Sequence, residues 1–364
     1  MTITNLYHTC LRGIQQLRPQ ERVTRVRNMA WLMTGLFMGR CVHLNHIARK
    51  IPGKSQKLSK VKMLSRLLSN RHIRVRSWYE PIAERLLEEA VGHGLPLRLL
   101  LDGTKVGNSH QLLMVALAYR RRALPVAWTW VKSKRGHSSE YKQRALLAYV
   151  HSLIPEEAIV LVAGDSEFGG VSILQLLDQW GWSYALRQKG RHLLCPGGQE
   201  SWQRCDEIVT QTSQSCWLTQ VSLTQKHAYQ TNFLAYWKPG EKDPWLLATN
   251  LPSAQDTKIL YRTRMWLDEA FGDFKKHGFD LEATRLRHIF RLSRLTLMVV
   301  LLYFWLVTFG TQTIKNGKRR LVDRNDRRDL SIFRIGFDMF ERCLLNNEPI
   351  SIRHIPYLPK LSGS

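Results

Sequence analysis

Acid is scarce in this sequence, and scarcest at the N-terminal end. Residues 1–79 carry a single acidic side chain, Glu21, against sixteen Lys and Arg. Over all 364 residues, 29 Asp and Glu stand against 54 Lys and Arg, a formal net charge of +25. That excludes an acidic solvating chain and points to a polyanionic partner, nucleic acid before an anionic membrane surface. Cysteine is also scarce. The six residues Cys10, Cys41, Cys195, Cys205, Cys216 and Cys343 form no CxxC pair and no zinc-type spacing. A disulfide framework and a zinc module are therefore not expected, and reduced core cysteines of a cytoplasmic protein are. Long hydrophobic runs are missing too. The longest, "LTLMVVLLYFWLVTFG" at 295–310, falls short of the roughly twenty apolar residues that cross a bilayer, so it reads as a buried helix. The opening "MTITNLYHTCLRGIQQ" has no apolar signal-peptide core. No membrane partner is expected.

What is present is a globular chain, 44% hydrophobic, long enough for two or three domains. Residues 1–95 read as a basic helical domain suited to binding DNA. From about 96 the texture changes. "LRLLLDG", "HQLLMVALAYR" and "RALPVAWTWVKS" are apolar and β-rich. "SSEYKQRALLAYVHSLI" (138–154) opens like a capping box and reads as a helix. "AIVLVAGDSEFGG" is a buried strand, "VSILQLLDQWG" a short helix and "SYALRQK" a strand. This order predicts a mixed sheet with helices on its faces over 96–189. Residues 190–252 form a β-rich insertion, with loops at "CPGGQESW" and "KPGEKDP" and strands at "SCWLTQVSLTQ", "YQTNFLAYWK" and "PWLLATN". Residues 253–310 turn helical. The tail 311–364 is basic, with one amphipathic helix at "LSIFRIGFDMFERCLL".

Three acids stand out. Asp102 and Asp165 each follow a buried strand and precede a turn residue, and ligands of such sheets sit beyond the carboxyl ends of strands. The third lies in "YRTRMWLDEAFGDFKKHG" (261–278). On a continuous helix Tyr261, Arg264, Asp268 and Lys275 share a sector of about 60°. That sector borders the apolar stripe of Leu260, Leu267, Ala270, Phe271 and Phe274, whereas Glu269 faces solvent. Helix geometry thus selects Asp268 over its neighbour. Three carboxylates from separate segments suit two divalent ions about 3.5–4 Å apart, Mg²⁺ or Mn²⁺ in its place, acting on a phosphodiester. Arg264 and Lys275 would hold phosphates beside them.

The spacing Tyr261-x2-Arg264-x3-Asp268-x6-Lys275 resembles the Tyr-Arg-Glu-Lys signature of bacterial insertion-sequence transposases of the DDE type, the group named after insertion sequence four. The contexts "LLLDGT" around Asp102 and "LVAGDSEF" around Asp165 resemble those of its first two acids. The resemblance covers about residues 97–310. It implies an RNase H-like α/β core in two parts, 96–189 and 253–310, around the insertion. It also implies cutting of the element's ends and joining to target DNA without a covalent protein intermediate. The partners implied are duplex DNA, as terminal inverted repeats and target, and a second copy of the chain in a homodimeric synaptic complex. Lys276 joins Lys275, Arg264 and Tyr261 as a phosphate contact. A tryptophan that stacks on a flipped base corresponds to Trp245, with Trp237 as runner-up. The third acid of the family is glutamate and this chain has Asp268 there, so Glu269 stays open as the alternative. Two other functions remain open: a transposase-derived DNA-binding protein without cutting activity, and a general nuclease of the same fold.

Overall fold

The computed structural model describes residues 2–132, 138–198 and 200–358. Ser133 of the third expected strand, Gln199 of the loop at 195–202 and residues 359–364 of the tail lie outside them. Five helices open the chain: α1 (Thr2–Leu17), α2 (Val23–Gly39), α3 (Leu44–Lys50), α4 (Lys57–Ser69) and α5 (Val75–Gly92). Then come β1 (Leu97–Val106), β2 (His110–Tyr119), β3 (Arg122–Lys132), α6 (Glu140–His151), β4 (Val160–Gly164), α7 (Val171–Gln179) and β5 (Ser183–Arg187). Five further strands follow: β6 (Leu193–Cys195), β7 (Gln203–Arg204), β8 (Ser215–Leu223), β9 (Tyr229–Tyr236) and β10 (Trp245–Thr249). The last helices are α8 (Ala254–Arg262), α9 (Met265–Phe274), α10 (Ile289–Lys315) and α11 (Ile332–Leu345). The chain divides into two compact units, Ala90–Glu269 and Met1–Glu89 with Ala270–Ser364.

The first of these units is built on one large, mostly antiparallel sheet. Its ten strands run in the order β3-β2-β1-β4-β5-β10-β9-β8-β6-β7. Among the described residues, only the pairs β1–β4 and β4–β5 are parallel. β2 and β3 are apolar almost without alternation and buried along nearly their whole length, as strands covered on both faces must be. α6 packs on β2 and β3, α7 on β5, and α8 on β4 and β5. The strands of the 190–252 segment extend the same sheet, because β10 pairs with β5. The expected capping box at the start of α6 does not form: Ser139 is the N-cap but its side chain accepts no helix N–H. Its neighbour Ser138 instead donates from both N and Oγ to Glu167, at 2.5 Å each.

The second unit is helical. α10 is apolar all round, so its sequence requires burial on every side. It is long and apolar enough to cross a membrane by length and composition, but 83% of its most apolar window is buried inside the protein. α2, α4 and α11 pack against it. Phe37 stacks on Phe337 with centroids 4.6 Å apart, and Tyr303 meets Phe274 edge-on at 4.9 Å. α11 is capped by Ser331, whose side chain accepts from the Arg334 N–H. α10 and α11 touch backbone to backbone: a Cβ on Gly310 would overlap the Ile332 carbonyl, and one on Gly336 the Leu306 carbonyl. A carbonyl inside a helix cannot turn aside. Gly336→Ala therefore forces the helices apart and lowers stability by about 1–3 kcal/mol, despite alanine's better helix propensity. Denaturant titration checks this, and an unchanged midpoint would refute the close crossing.

Candidate active site

Asp165 follows the last residue of β4, as its sequence context predicts. Asp102 does not end its strand. β1 continues through Asp102 and Gly103 to Val106, because β2 pairs with it residue by residue, Asp102 opposite Met114 and Gly103 opposite Leu113. The Asp-Gly pair looks like a turn only while its partner strand is out of view. The actual turn lies at Gly107–Ser109, with Gly107 at φ +62°. In the parallel pair of β1 and β4, Leu101 stands level with Gly164. One residue further on, Asp102 and Asp165 take neighbouring places on adjacent strands, which lie about 4.8 Å apart. Gly103 is needed beside them. A Cβ there would run into the Gln111 amide, whose Nε2 donates to Glu167 Oε2 at 2.7 Å.

The third acid comes from the helical stretch, which is not one helix. α8 ends at Arg262, and Thr263 and Arg264 form a tight turn before α9. Within it Arg264 N–H reaches back to Tyr261 O at 3.0 Å, and Thr263 Oγ1 donates to Leu260 O at 2.6 Å. Tyr261 thus lies on α8, Arg264 in the turn, Asp268 on α9 and Lys275 beyond its end. The turn delivers Arg264 into the sheet. Its Nη1 donates to Asp102 Oδ2 at 2.7 Å, and its Nη2 lies 3.1 Å from Asp268 Oδ2. One guanidinium therefore bridges two of the three acids.

The electrostatics follow from burial. Asp102 is 8% exposed, and burial pushes its carboxyl well above the usual carboxylate range. Arg264 opposes the rise, whereas Asp268 and Asp165 add to it. The Gly103 N–H also donates to Asp102 Oδ1 at 2.7 Å. Burial works against the Arg264 charge, but Asp102 first, then Tyr261, Asp268 and Asp165, favour it and more than offset burial.

The other expected residues fall in several places. Glu269 points elsewhere: it is 57% exposed and pairs with Arg122 at 3.4 Å. Tyr261 is buried, its phenol pushed up to about 12 by burial, and its Oη is a buried donor with no partner among the described residues. Trp245 is half-buried and meets Tyr261 edge-on, centroids 5.0 Å apart. Trp245, Tyr261 and Arg264 line an open groove of about 410 Å³ with Arg187, Lys238 and Lys242. Trp237 donates to Glu241 O at 3.0 Å. Lys275 and Lys276 belong to the other compact unit, where Lys275 pairs with Glu282 at 3.1 Å and Lys276 is exposed. The sequence reading missed Glu167, Arg122 and Arg187. Glu167, two residues after Asp165 in "GDSEF", was the one with a visible signal.

Among the described residues no three Asp, Glu, His or Cys side chains converge closely enough to hold a metal ion. Arg264 stands between Asp102 and Asp268, where a cation would be shared. Carboxylates are the oxygen donors that a hard divalent ion takes, and Asp102 and Asp268 already hold a positive group between them. No family model matches the chain, and no curated protein matches it. Among solved structures it is similar to the piggyBac transposase in a synaptic complex with hairpin DNA. That match covers 100% of this chain and 84% of the other, at 9% identity and a TM-score of 0.40. A likeness of that depth carries no argument about fold or function.

Proposed function

We propose that the chain is a DNA transposase of the DDE type, with an RNase H-like core, that cuts element ends and joins them to target DNA. The observation that carries this reading is the pairing of Asp102 and Asp268, distant in sequence, with one guanidinium, that of Arg264, and the place of Asp165 just past the strand paired with that of Asp102. Strands β1 to β5 support the fold assignment: three antiparallel strands in the order 3-2-1, then two parallel ones beside β1. Asp102, Asp165 and Asp268 are the residues that would hold Mg²⁺, or Mn²⁺. Two such ions supply a hydroxyl nucleophile and charge stabilisation at the leaving oxygen.

The chain's own groups do the rest. Arg264 exchanges its carboxylate partners for a DNA phosphate, which its planar fork binds in two places at once. Tyr261 keeps its proton and offers it to the same strand. Trp245 presents a face to an unpaired base, worth about 1–3 kcal/mol if stacked. Lys275 and Lys276 add phosphate contacts. The partners are duplex DNA, as inverted repeats and target, and a second copy of the chain, within the cytoplasm.

The test is cleavage of a duplex carrying the element's ends. Strand cutting and strand-transfer products are expected with Mg²⁺ or Mn²⁺ and are lost on chelation. No protein stays covalently attached to DNA. Cutting that survives chelation would overturn the reading. The Arg264 bridge favours a second reading, in which the acids have become a structural ion-pair cluster of a DNA-binding protein. Duplex binding without cutting in either metal would select it.

A further inference from the structure

The helical unit holds a cavity of about 320 Å³ between the start of α2 and the outer face of α4. Arg22, Arg25 and Asn28 line it from the α2 side, Ser59 and Arg66 from α4, and His72 from the segment after α4. Among the described residues, no acidic side chain and no Trp, Tyr or Phe lines it. Beside it, Glu21 pairs with Arg25 and accepts the Arg22 backbone N–H at 2.9 Å, so part of the Arg25 charge is already met. The Arg25 Nε remains buried with no partner among the described residues. Arg22 and Arg66 are exposed, and neither guanidinium has an ion pair or hydrogen bond among the described residues. Two uncommitted guanidinium groups thus share one concave surface with hydroxyl and amide donors.

We infer that this cavity is a seat for a backbone phosphate of duplex DNA, which rests on the proposed reading of the chain as a DNA-handling protein. Guanidinium groups match phosphate oxygens in charge and in geometry. The absence of a large aromatic ring leaves no platform for a base, so the phosphate is the group recognised. A contact of this kind fixes register on the duplex and carries no base preference.

The experiment compares wild type with the double variant Arg22→Gln, Arg66→Gln by fluorescence anisotropy on two unrelated duplexes across a salt series. Both residues are exposed, so folding is unaffected, and circular dichroism confirms it. Affinity is expected to fall about tenfold at low salt, equally for both duplexes. The slope of log affinity against log salt should become shallower by about one. The double variant Arg12→Gln, Arg49→Gln removes the same charge from the same unit outside the cavity and should shift binding less. An equal fall in that control would overturn the proposal in favour of diffuse charge. So would a loss confined to one duplex. Two other results overturn it when the cavity variant binds duplex normally: calorimetric binding of inorganic phosphate alone, or loss of adhesion to phosphatidylserine vesicles. Wild type that binds no duplex does the same. The catalytic reading fails separately. If the cavity variant behaves as expected while Asp165→Asn still cuts DNA, the phosphate seat stands and the catalytic assignment falls.

Discussion

Asp165→Asn is expected to leave duplex binding intact and to lower strand cleavage by about 10³-fold or more. Several kcal/mol of transition-state stabilisation depend on the metal-holding set, and each 1.36 kcal/mol is about a factor of ten. The choice of Asp165 over Asp102 follows from their surroundings. Asp102 is buried and is the hydrogen-bonded partner of Arg264. Removing its charge takes from the Arg264 guanidinium its more buried partner and leaves only the more exposed Asp268, so lost activity would be confounded with lost fold. Asp165 is half-buried and follows the end of its strand. Its carbonyl, not its side chain, accepts from the Phe168 N–H at 2.9 Å. Asparagine keeps that turn and the side-chain shape, and it removes a negative charge from a surface that meets phosphates. Binding therefore holds or tightens while cutting is lost. Cleavage by the variant within tenfold of wild type would remove Asp165 from the chemistry.

The elements legible in the sequence were those whose signals are local. The strand before Asp165 ends where its Gly-Asp-Ser turn says it should, and the apolar run at 295–310 lies buried within α10 as its length predicts. The failures share one cause. β1 runs past Asp102-Gly103 because β2 supplies its hydrogen-bond partners, and an Asp-Gly pair does not disclose what lies opposite. The helix from 261 breaks at Thr263 and Arg264, where the guanidinium pairs with an aspartate 162 positions earlier. Ser138 bonds to Glu167, 29 residues on, in place of the expected box at Ser139. In the site, the facing of Asp268 was argued from one continuous helix starting at Tyr261, and the break at Thr263 and Arg264 removes that premise; the two acids are told apart by their partners, Arg264 for Asp268 and Arg122 for Glu269. The pairing of Arg264 with the acids was not legible, because side-chain periodicity says which face a residue takes and nothing of what it meets there.

The adjacent acids at 268 and 269 give the second large effect. Asp268→Asn is expected to reduce cleavage by about 10²-fold or more, and Glu269→Gln to leave it within about threefold. Arg264 lies 3.1 Å from Asp268, whereas Glu269 is 57% exposed and turned to Arg122. Exchanging the two would take a rotation of α9 by about 100°, the step between consecutive helical residues. That rotation would carry the buried Leu267, Ala270, Phe271 and Phe274 out of their packing, at a cost of about 1.5–3 kcal/mol for each large side chain exposed. Helix packing therefore holds the assignment more firmly than the one-methylene difference between the two side chains could. Asp268→Glu then separates an active aspartate from a decayed glutamate position. Cutting that is absent in the wild type and appears in this variant marks decay. Cutting that is strong in the wild type and weakened in the variant marks a site fitted to the shorter acid. Cleavage lost in Glu269→Gln and retained in Asp268→Asn would reverse the assignment, and with it the orientation of α9 on which it stands.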